Sequence, residues 1–228
     1  MSSAPLALLF DLDGTLIDSM PLHHAAWRRW HAQVGLHFDE HGFFEATAGR
    51  TNAEILAELF AQHTEAERWA MAEAKEGLYR DAARLSLALI AGAIELLHAG
   101  RARGLPMAVC TASPDSNIGV AYQRFGIDAL VATTVSPEQG FRGKPHPDLF
   151  LEAARRLGVA PEHCLVFEDA PLGVEAARRA GMRAVALTTS LPVASFSSYD
   201  NLLCVLPDLC GFDLTTLSSP NSETPHAA

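Results

Sequence analysis

The sequence lacks the features that mark several classes of protein. It contains no apolar run long enough to span a bilayer, so we expect no membrane partner. Its first apolar run is short, ends at Asp11 and has no basic segment before it, so we expect no secretory signal peptide. Basic residues are few, with 17 lysines and arginines against 27 acidic residues and a formal net charge of −10. Because nucleic acids bind basic surfaces, no nucleic acid is expected as a partner either.

Cysteines with metal-binding or redox spacing are also missing. The four cysteines form no C-x-x-C motif and no histidine-linked zinc pattern. Two of them, Cys110 and Cys164, lie in apolar runs typical of buried strands, where thiols are common. We therefore expect a protein of the reducing cytoplasm, and we also expect a monomer. The 228 residues, 49% of them apolar, suffice for one large domain or for a core with a smaller insert.

Two carboxylates end the first predicted strand, Leu6–Leu12. A strand has a period of two, so Asp11 and Asp13 should point to the same side. They lie at the carboxyl end of the strand, where open α/β sheets bind ligands. Two such charges repel by a few kcal/mol at ~4 Å and intermediate dielectric. Either a cation lies between them or one is protonated, unless the motif D-x-D-G-T is only a strand ending in a turn.

The second half of the chain alternates helices with apolar strands. Glycines that favour helix C-termini are followed by short apolar runs. The glycines are Gly104, Gly126, Gly158 and Gly181, and the runs are Met107–Thr111, Ala129–Val135, Cys164–Phe167 and Arg183–Leu187. Pro147 and Pro171 are placed to begin helices, and Leu202–Leu206 is a candidate last strand. This alternation predicts an α/β fold, a doubly wound parallel sheet covered on both faces.

A long helical segment separates the first strand from the second. Residues 21–87 show helical patterns throughout, and Thr51–Glu54 and Thr64–Glu67 match the capping box that opens a helix. An all-helical cap inserted there would lie above the two acids and could close over a substrate. The predicted boundaries are 1–18 and 88–212 for the catalytic core, 19–87 for the cap, and 213–228 for a disordered tail.

Three further polar groups follow predicted strands. They are Thr111 with Ala112 and Ser113, Lys144 in a Gly/Pro-rich loop, and the pair Glu168 and Asp169. Each alone is typical of a turn, a solvated charge or a helix cap. All of them map to the same sheet edge as Asp11 and Asp13. Because so many acids cannot stay ionised together, they imply a hard divalent cation with oxygen ligands, Mg²⁺.

The order of these motifs resembles the haloacid dehalogenase superfamily. The motifs are D-x-D-G-T, a strand-ending Thr/Ser, Lys in G-K-P-x-P-D, and E-D after an apolar run. With a helical insert after the first motif, the chain is most similar to the branch of capped phosphatases and β-phosphoglucomutases. The resemblance covers everything except the C-terminal tail. It implies a Rossmann-like core and a mobile cap.

The resemblance also implies roles for individual residues. Asp11 resembles the nucleophile and Asp13 the general acid and base of this family. Thr111 and Lys144 resemble its phosphate-binding residues, and Ala112 can contribute only its backbone N–H. The metal-binding groups would be Asp11, the backbone carbonyl of Asp13, Glu168 and Asp169.

Three cap residues are weaker candidates for substrate binding. His23 follows the segment that leaves the core and could reach the site, although histidines in helical stretches often serve packing. Arg50 and Asn52 flank the capping threonine on a loop of the kind that contacts substrate in capped relatives. Plain surface exposure explains these two equally well.

The resemblance implies Mg²⁺-dependent hydrolysis of a small phosphorylated metabolite, a sugar phosphate, through an aspartyl-phosphate. The alternatives are a β-phosphoglucomutase-type isomerase and a non-catalytic phosphate- or partner-binding relative. Mutases carry a lysine and an arginine at the loop positions of Ala48 and Asn52, where this chain retains only Arg50 nearby. Asp115 would add a negative charge where a second phosphate approaches. A weakly held bisphosphate favours hydrolysis over isomerisation.

Overall fold

The computed structural model describes residues 6–47 and 50–215. Its strands are β1 (Ala7–Phe10), β2 (Ile17–Asp18), β3 (Ala88–Leu89), β4 (Met107–Cys110), β5 (Thr133–Val135), β6 (Cys164–Glu168), β7 (Arg183–Leu187) and β8 (Leu202–Leu206). Its helices are α1 (Met20–Gln33), α2 (Glu40–Thr47), α3 (Asn52–Leu59), α4 (Glu65–Ser86), α5 (Ala93–Ala102), α6 (Asp115–Phe125), α7 (Asp148–Leu157) and α8 (Pro171–Arg179).

Six strands form one parallel sheet in the order β5-β4-β1-β6-β7-β8, which confirms the predicted doubly wound α/β fold. The central strand β1 is buried along its whole length. Its side chains alternate between two hydrophobic cores, with Leu8 and Phe10 in one and Ala7 and Leu9 in the other. The helices therefore cover both faces of the sheet, as a buried parallel sheet requires.

Glycine ends helices where the sequence predicts it. Gly126 and Gly158 follow α6 and α7 in the left-handed conformation, with φ of 66° and 69°, which a side chain would disfavour. The predicted strand Ala129–Val135 begins too early, because residues 127–129 form a 3₁₀ turn and only Thr133–Val135 pairs with β4. Pro171 is the first residue of α8, whereas Pro147 lies one position before α7, as its N-cap.

Four helices, α1–α4, lie between β1 and the rest of the sheet. Both predicted capping boxes form: in the first, Glu54 N–H donates to Thr51 Oγ1 at 3.3 Å and Thr51 N–H donates to Glu54 Oε2 at 2.9 Å. These helices have a small core of their own, around Trp27 and Trp30. The antiparallel pair β2–β3, too short to predict from the sequence, joins the segment that enters the helices to the one that leaves them.

The packed part of the chain extends further toward the C-terminus than the sequence predicts. Leu214 is 5% exposed and belongs to the core on one face of the sheet, although the predicted disordered tail begins at residue 213. The remainder of that tail, residues 216–228, lies outside the described residues. Among the helices the structure describes, none has the length and apolar character needed to cross a membrane.

Candidate active site

The site lies at the carboxyl edge of the sheet, where three neighbouring strands end. Asp11 follows β1, Thr111 follows β4, and Glu168 closes β6. Two backbone bonds continue the strand pairing to these residues: Asp11 N–H donates to Phe167 O at 3.0 Å, and Thr111 N–H donates to Val135 O at 3.1 Å. Because β1 lies between β4 and β6, Asp11 occupies the centre of this edge.

The structure brings every sequence-predicted site residue into one cleft, between this edge and the α1–α4 helices. The residues are Asp11, Asp13, His23, Arg50, Asn52, Thr111, Ala112, Lys144, Glu168 and Asp169. Thr111 is buried, and its Oγ1 accepts a bond from Ser113 N–H at 3.0 Å, which closes the turn after β4. No acceptor for the hydroxyl hydrogen of Thr111 is found among the described residues, so the hydroxyl can donate to a bound oxygen.

Lys144 is buried between two carboxylates. Its Nζ donates to Asp11 Oδ1 and to Glu168 Oε1. Burial alone would lower the pKa of Lys144, but the charges of Asp11 and Glu168 raise it above its usual value. The lysine is therefore protonated, and it holds Asp11 from one side.

Asp11 and Asp169 are hard to ionise in the metal-free protein. Burial, with the nearby charges of Glu168 and Asp169, raises the pKa of Asp11 well above its usual value, although Lys144 opposes the shift. Burial and the charge of Glu168 raise the pKa of Asp169 to about 7, against a hydrogen bond from Ser190. Both groups would gain from a cation at the site.

Three acids are placed to share one metal ion. Oxygens of Asp11, Glu168 and Asp169 lie within 4.8 Å of one another, and all three residues are buried. Oxygen ligands of this kind fit a hard divalent cation. Glu168 is partly committed elsewhere, because its Oε2 accepts the N–H groups of Asp169 and Ala170, both at 3.0 Å. The side chain of Asp13 is not part of this group, so only its backbone carbonyl remains a candidate ligand.

Replacing Asp169 with asparagine should raise the melting temperature of the metal-free protein at pH 8. An acid whose pKa is higher in the folded than in the unfolded chain stabilises the fold while protonated. That contribution is lost as the pH rises from about 4 to about 7, the folded value for Asp169. The melting temperature of Asp169→Asn minus that of the native protein, both measured in excess chelator, should be near zero at low pH and several degrees at pH 8.

The matched control is Asp148→Asn. Arg142 lowers the pKa of the Asp148 carboxyl, so losing that acid should not raise the melting temperature. A melting difference for Asp169→Asn that does not change with pH would contradict the assignment.

Asp13 has the opposite electrostatic character. Its Oδ1 accepts bonds from Ser19 Oγ at 2.6 Å and from His23 Nε2 at 3.4 Å, and its Oδ2 accepts a bond from Ser113 Oγ. Burial would raise the pKa of Asp13, but His23 and the two serines together lower it to about 2. Asp13 is therefore ionised, whereas neighbouring Asp11 resists ionisation.

The sequence did not reveal a buried ion pair on α4. Lys75 and Glu76 are 2% and 3% exposed and line the same cleft. Lys75 Nζ donates to Glu76 Oε1 at 2.7 Å and to His23 Nδ1 at 2.8 Å, and it thereby orients the ring whose other nitrogen contacts Asp13. A lysine–glutamate pair on a helix is ordinarily exposed to solvent. The helical periodicity of the sequence does not predict that the side chains of this pair are buried.

The structure does not bring the side chain of Asp115 into the cleft. Its carboxylate accepts a bond from Ser136 Oγ at 3.0 Å, and the residue does not line the cleft. Arg50 does line it, but donates to Glu58 Oε2 at 2.8 Å. Ala48, the other loop position of interest, lies outside the described residues.

Comparison with known proteins extends the resemblance beyond these motifs. A sequence model of the haloacid dehalogenase-like hydrolases matches residues 6–181. Validoxylamine A 7'-phosphate phosphatase of Streptomyces hygroscopicus subsp. limoneus is 34% identical, over 86% of this chain and 91% of its own length. Hexitol phosphatase A of Escherichia coli is also 34% identical, over 94% and 95%. The crystal structure of a HAD hydrolase, family IA, variant 3, from Entamoeba histolytica superposes with a TM-score of 0.83 at 28% identity, covering 92% of this chain and 96% of that one.

Proposed function

The chain belongs to the haloacid dehalogenase-like hydrolase family and is a hydrolase of phosphoric monoesters, and we propose that it acts on small sugar phosphates through a phosphorylated Asp11. The observation that carries the proposal is the pairing of Asp11 with Lys144 at the centre of the sheet edge, two positions before the ionised Asp13. The two relatives named above are a validoxylamine A 7'-phosphate phosphatase and a hexitol phosphatase, which supports a sugar phosphate as substrate.

Asp11 would attack phosphorus in line with the leaving oxygen. An Asp11 oxygen–phosphorus bond forms as the ester bond breaks, so one difficult displacement becomes two easier ones. Lys144, the Thr111 hydroxyl and the backbone N–H of Ala112 would hold the phosphoryl oxygens, which carry the charge in such transition states.

Asp13 would act as the general acid and then as the general base. A bound phosphate dianion beside it raises the pKa of the carboxyl, so Asp13 can take up a proton on substrate binding and pass it to the leaving alkoxide. The resulting carboxylate would then remove a proton from the water that attacks the phosphorylated Asp11. The bonds from Ser19, Ser113 and His23 keep Asp13 in position for both transfers.

The buried acids fit a divalent cation, which we propose to be Mg²⁺. Asp11, Asp169 and the Asp13 carbonyl would hold it, with Glu168 beside them. When bound, it neutralises charge on the carboxylate and on the phosphoryl oxygens. The cap side of the cleft is lined in part by apolar Met20, Trp27 and Ile55, which would exclude water from the phosphorylated aspartate.

Hexose phosphates should yield inorganic phosphate rather than isomers. A mutase has to retain a bisphosphate intermediate through cationic contacts to its second phosphate, and Arg50 is already paired with Glu58. With catalytic glucose 1,6-bisphosphate present, phosphate release should outpace interconversion of β-glucose 1-phosphate and glucose 6-phosphate. Both products are followed in the same reaction, across a panel of hexose and hexitol phosphates.

The same assay carries its metal control. Phosphate release should stop in excess chelator and return when Mg²⁺ is added beyond the chelator. Isomerisation faster than phosphate release would overturn the proposed hydrolysis, and full activity in chelator would overturn the metal assignment.

A further inference from the structure

A buried carboxylate faces the sheet edge from the cap side of the cleft. Glu76 on α4 is 3% exposed and lines the cleft. Its Oε1 accepts bonds from Asn52 Nδ2 at 2.5 Å and from Lys75 Nζ at 2.7 Å. Its Oε2 accepts a bond from Asn117 Nδ2 at 2.6 Å. Residues of α3, α4 and α6 thus hold Glu76 in one orientation.

The surrounding residues keep the Glu76 carboxylate ionised and leave one of its hydrogen-bond acceptor positions open. Burial opposes its ionisation, but Lys75, His23 and the Asn117 bond outweigh burial and lower its pKa to about 2. A carboxylate offers about four acceptor positions, and the bonds from Asn52, Lys75 and Asn117 fill three of them. No fourth donor to Glu76 is found among the described residues, and Glu76 lines the cleft, so one acceptor position is open to a hydroxyl donor.

The cleft has no surplus of positive charge on its cap side. Among the described residues that line it, both cap cations have carboxylate partners: Lys75 contacts Glu76, and Arg50 contacts Glu58. The lining carries five acids against three cations. The acids are Asp11, Asp13, Glu76, Glu168 and Asp169, and the cations are Arg50, Lys75 and Lys144.

We propose that Glu76 is a specificity-determining residue that accepts a hydroxyl group of the leaving group and rejects a leaving group carrying a second phosphate. The inference rests on the proposed function, because the phosphate to be cleaved must lie at the core side, on Lys144 and Thr111. The remainder of the substrate then extends toward α4. A hydroxyl can donate to the free acceptor position of Glu76, whereas a second phosphate meets a fixed like charge.

The experiment compares two substrates that differ by one phosphate, fructose 1-phosphate and fructose 1,6-bisphosphate. For the native protein, kcat/KM should be at least about tenfold higher with the monophosphate. A second phosphate would lie against the Glu76 carboxylate, and both described cations that line the cap side are already paired with carboxylates. Glu76→Gln should lower the ratio of kcat/KM for the monophosphate to kcat/KM for the bisphosphate by about tenfold. A substitution that impairs the catalytic residues on the core side lowers kcat/KM for both substrates alike. It therefore leaves their ratio unchanged and is distinguished from a change in specificity.

The matched control is Glu73→Gln, on the same helix. Glu73 contacts Arg80, is half exposed and does not line the cleft, so its loss removes the same charge without changing the ratio. A second variant, Asn52→Arg, places a cation beside Glu76 without removing the carboxylate and should narrow the ratio as well. If Glu76→Gln fails to fold, as judged by circular dichroism, the Asn52→Arg variant provides the test.

Equal kcat/KM for both substrates in the native protein overturns the inference and leaves the proposed function standing. A ratio unchanged in both Glu76→Gln and Asn52→Arg also overturns it. If neither fructose 1-phosphate nor any other hexose monophosphate is hydrolysed, the proposed function fails, and the inference fails with it.

Discussion

Asp11→Asn is expected to reduce phosphate release by at least about 10⁴-fold, because an amide is a poor nucleophile. The fold should survive the change. Asparagine has nearly the shape of aspartate, and burial already disfavours the charge on Asp11 in the metal-free protein. Lys144 keeps Glu168 as its partner in the variant. Phosphate release and thermal unfolding, measured on the same preparation, separate the loss of chemistry from a loss of structure.

Asp115→Asn is the matched control for that experiment. The Asp115 carboxylate contacts Ser136 and lies outside the cleft, so the variant should keep close to native activity. Residual activity in Asp11→Asn must be compared with the native KM, because a contaminating phosphatase would show a different value. Substantial activity with the native KM would exclude Asp11 as the nucleophile.

Lys144→Met should have the second largest effect, on stability and on activity together. The lysine is 2% exposed and is the contact shared by two buried carboxylates. Removing one partner of a buried ion pair typically costs about 3–5 kcal/mol in the free energy of unfolding. Activity should also fall about 10²–10³-fold, since a group that stabilises the phosphoryl charge is lost. Urea unfolding at pH 8 in chelator, together with phosphate release, measures both effects.

A double variant tests the cause of that loss of stability. In Lys144→Met/Glu168→Gln one of the two unpaired acids is also removed, so part of the stability should return while activity stays low. A single variant Lys144→Met whose unfolding free energy stays within about 1 kcal/mol of the native value would contradict the buried ion pair.

The core of the site was predictable because of where parallel strands end. Asp11, Thr111 and Glu168 follow three different strands, and sheet topology alone brings such positions to a common edge. Lys144 and Asp169 follow from the same rule, because Lys144 lies in the loop between β5 and α7 and Asp169 directly follows β6. Local patterns of apolar runs, glycines and prolines were sufficient for this part.

The cap side of the site was less predictable because it depends on which helix faces meet. Lys75 and Glu76 have the sequence pattern of an ordinary charged pair, and only the packing of α4 against α1, α3 and α6 buries them. Asp115 shows the reverse case, since proximity to a motif in sequence does not bring its side chain into the cleft. The strands β2 and β3, two residues each, are too short to produce any periodic pattern.

The most direct test of the proposed mechanism is to trap the phosphorylated Asp11. Acetyl phosphate releases acetate, which needs no proton, so its transfer to Asp11 should proceed in an Asp13→Asn variant. The following hydrolysis should stall, because no carboxylate remains to take a proton from water. After acid quenching, mass spectrometry should find one phosphoryl group on the peptide that contains Asp11. Steady release of phosphate with no such adduct, or an adduct on another residue, would contradict nucleophilic catalysis by Asp11.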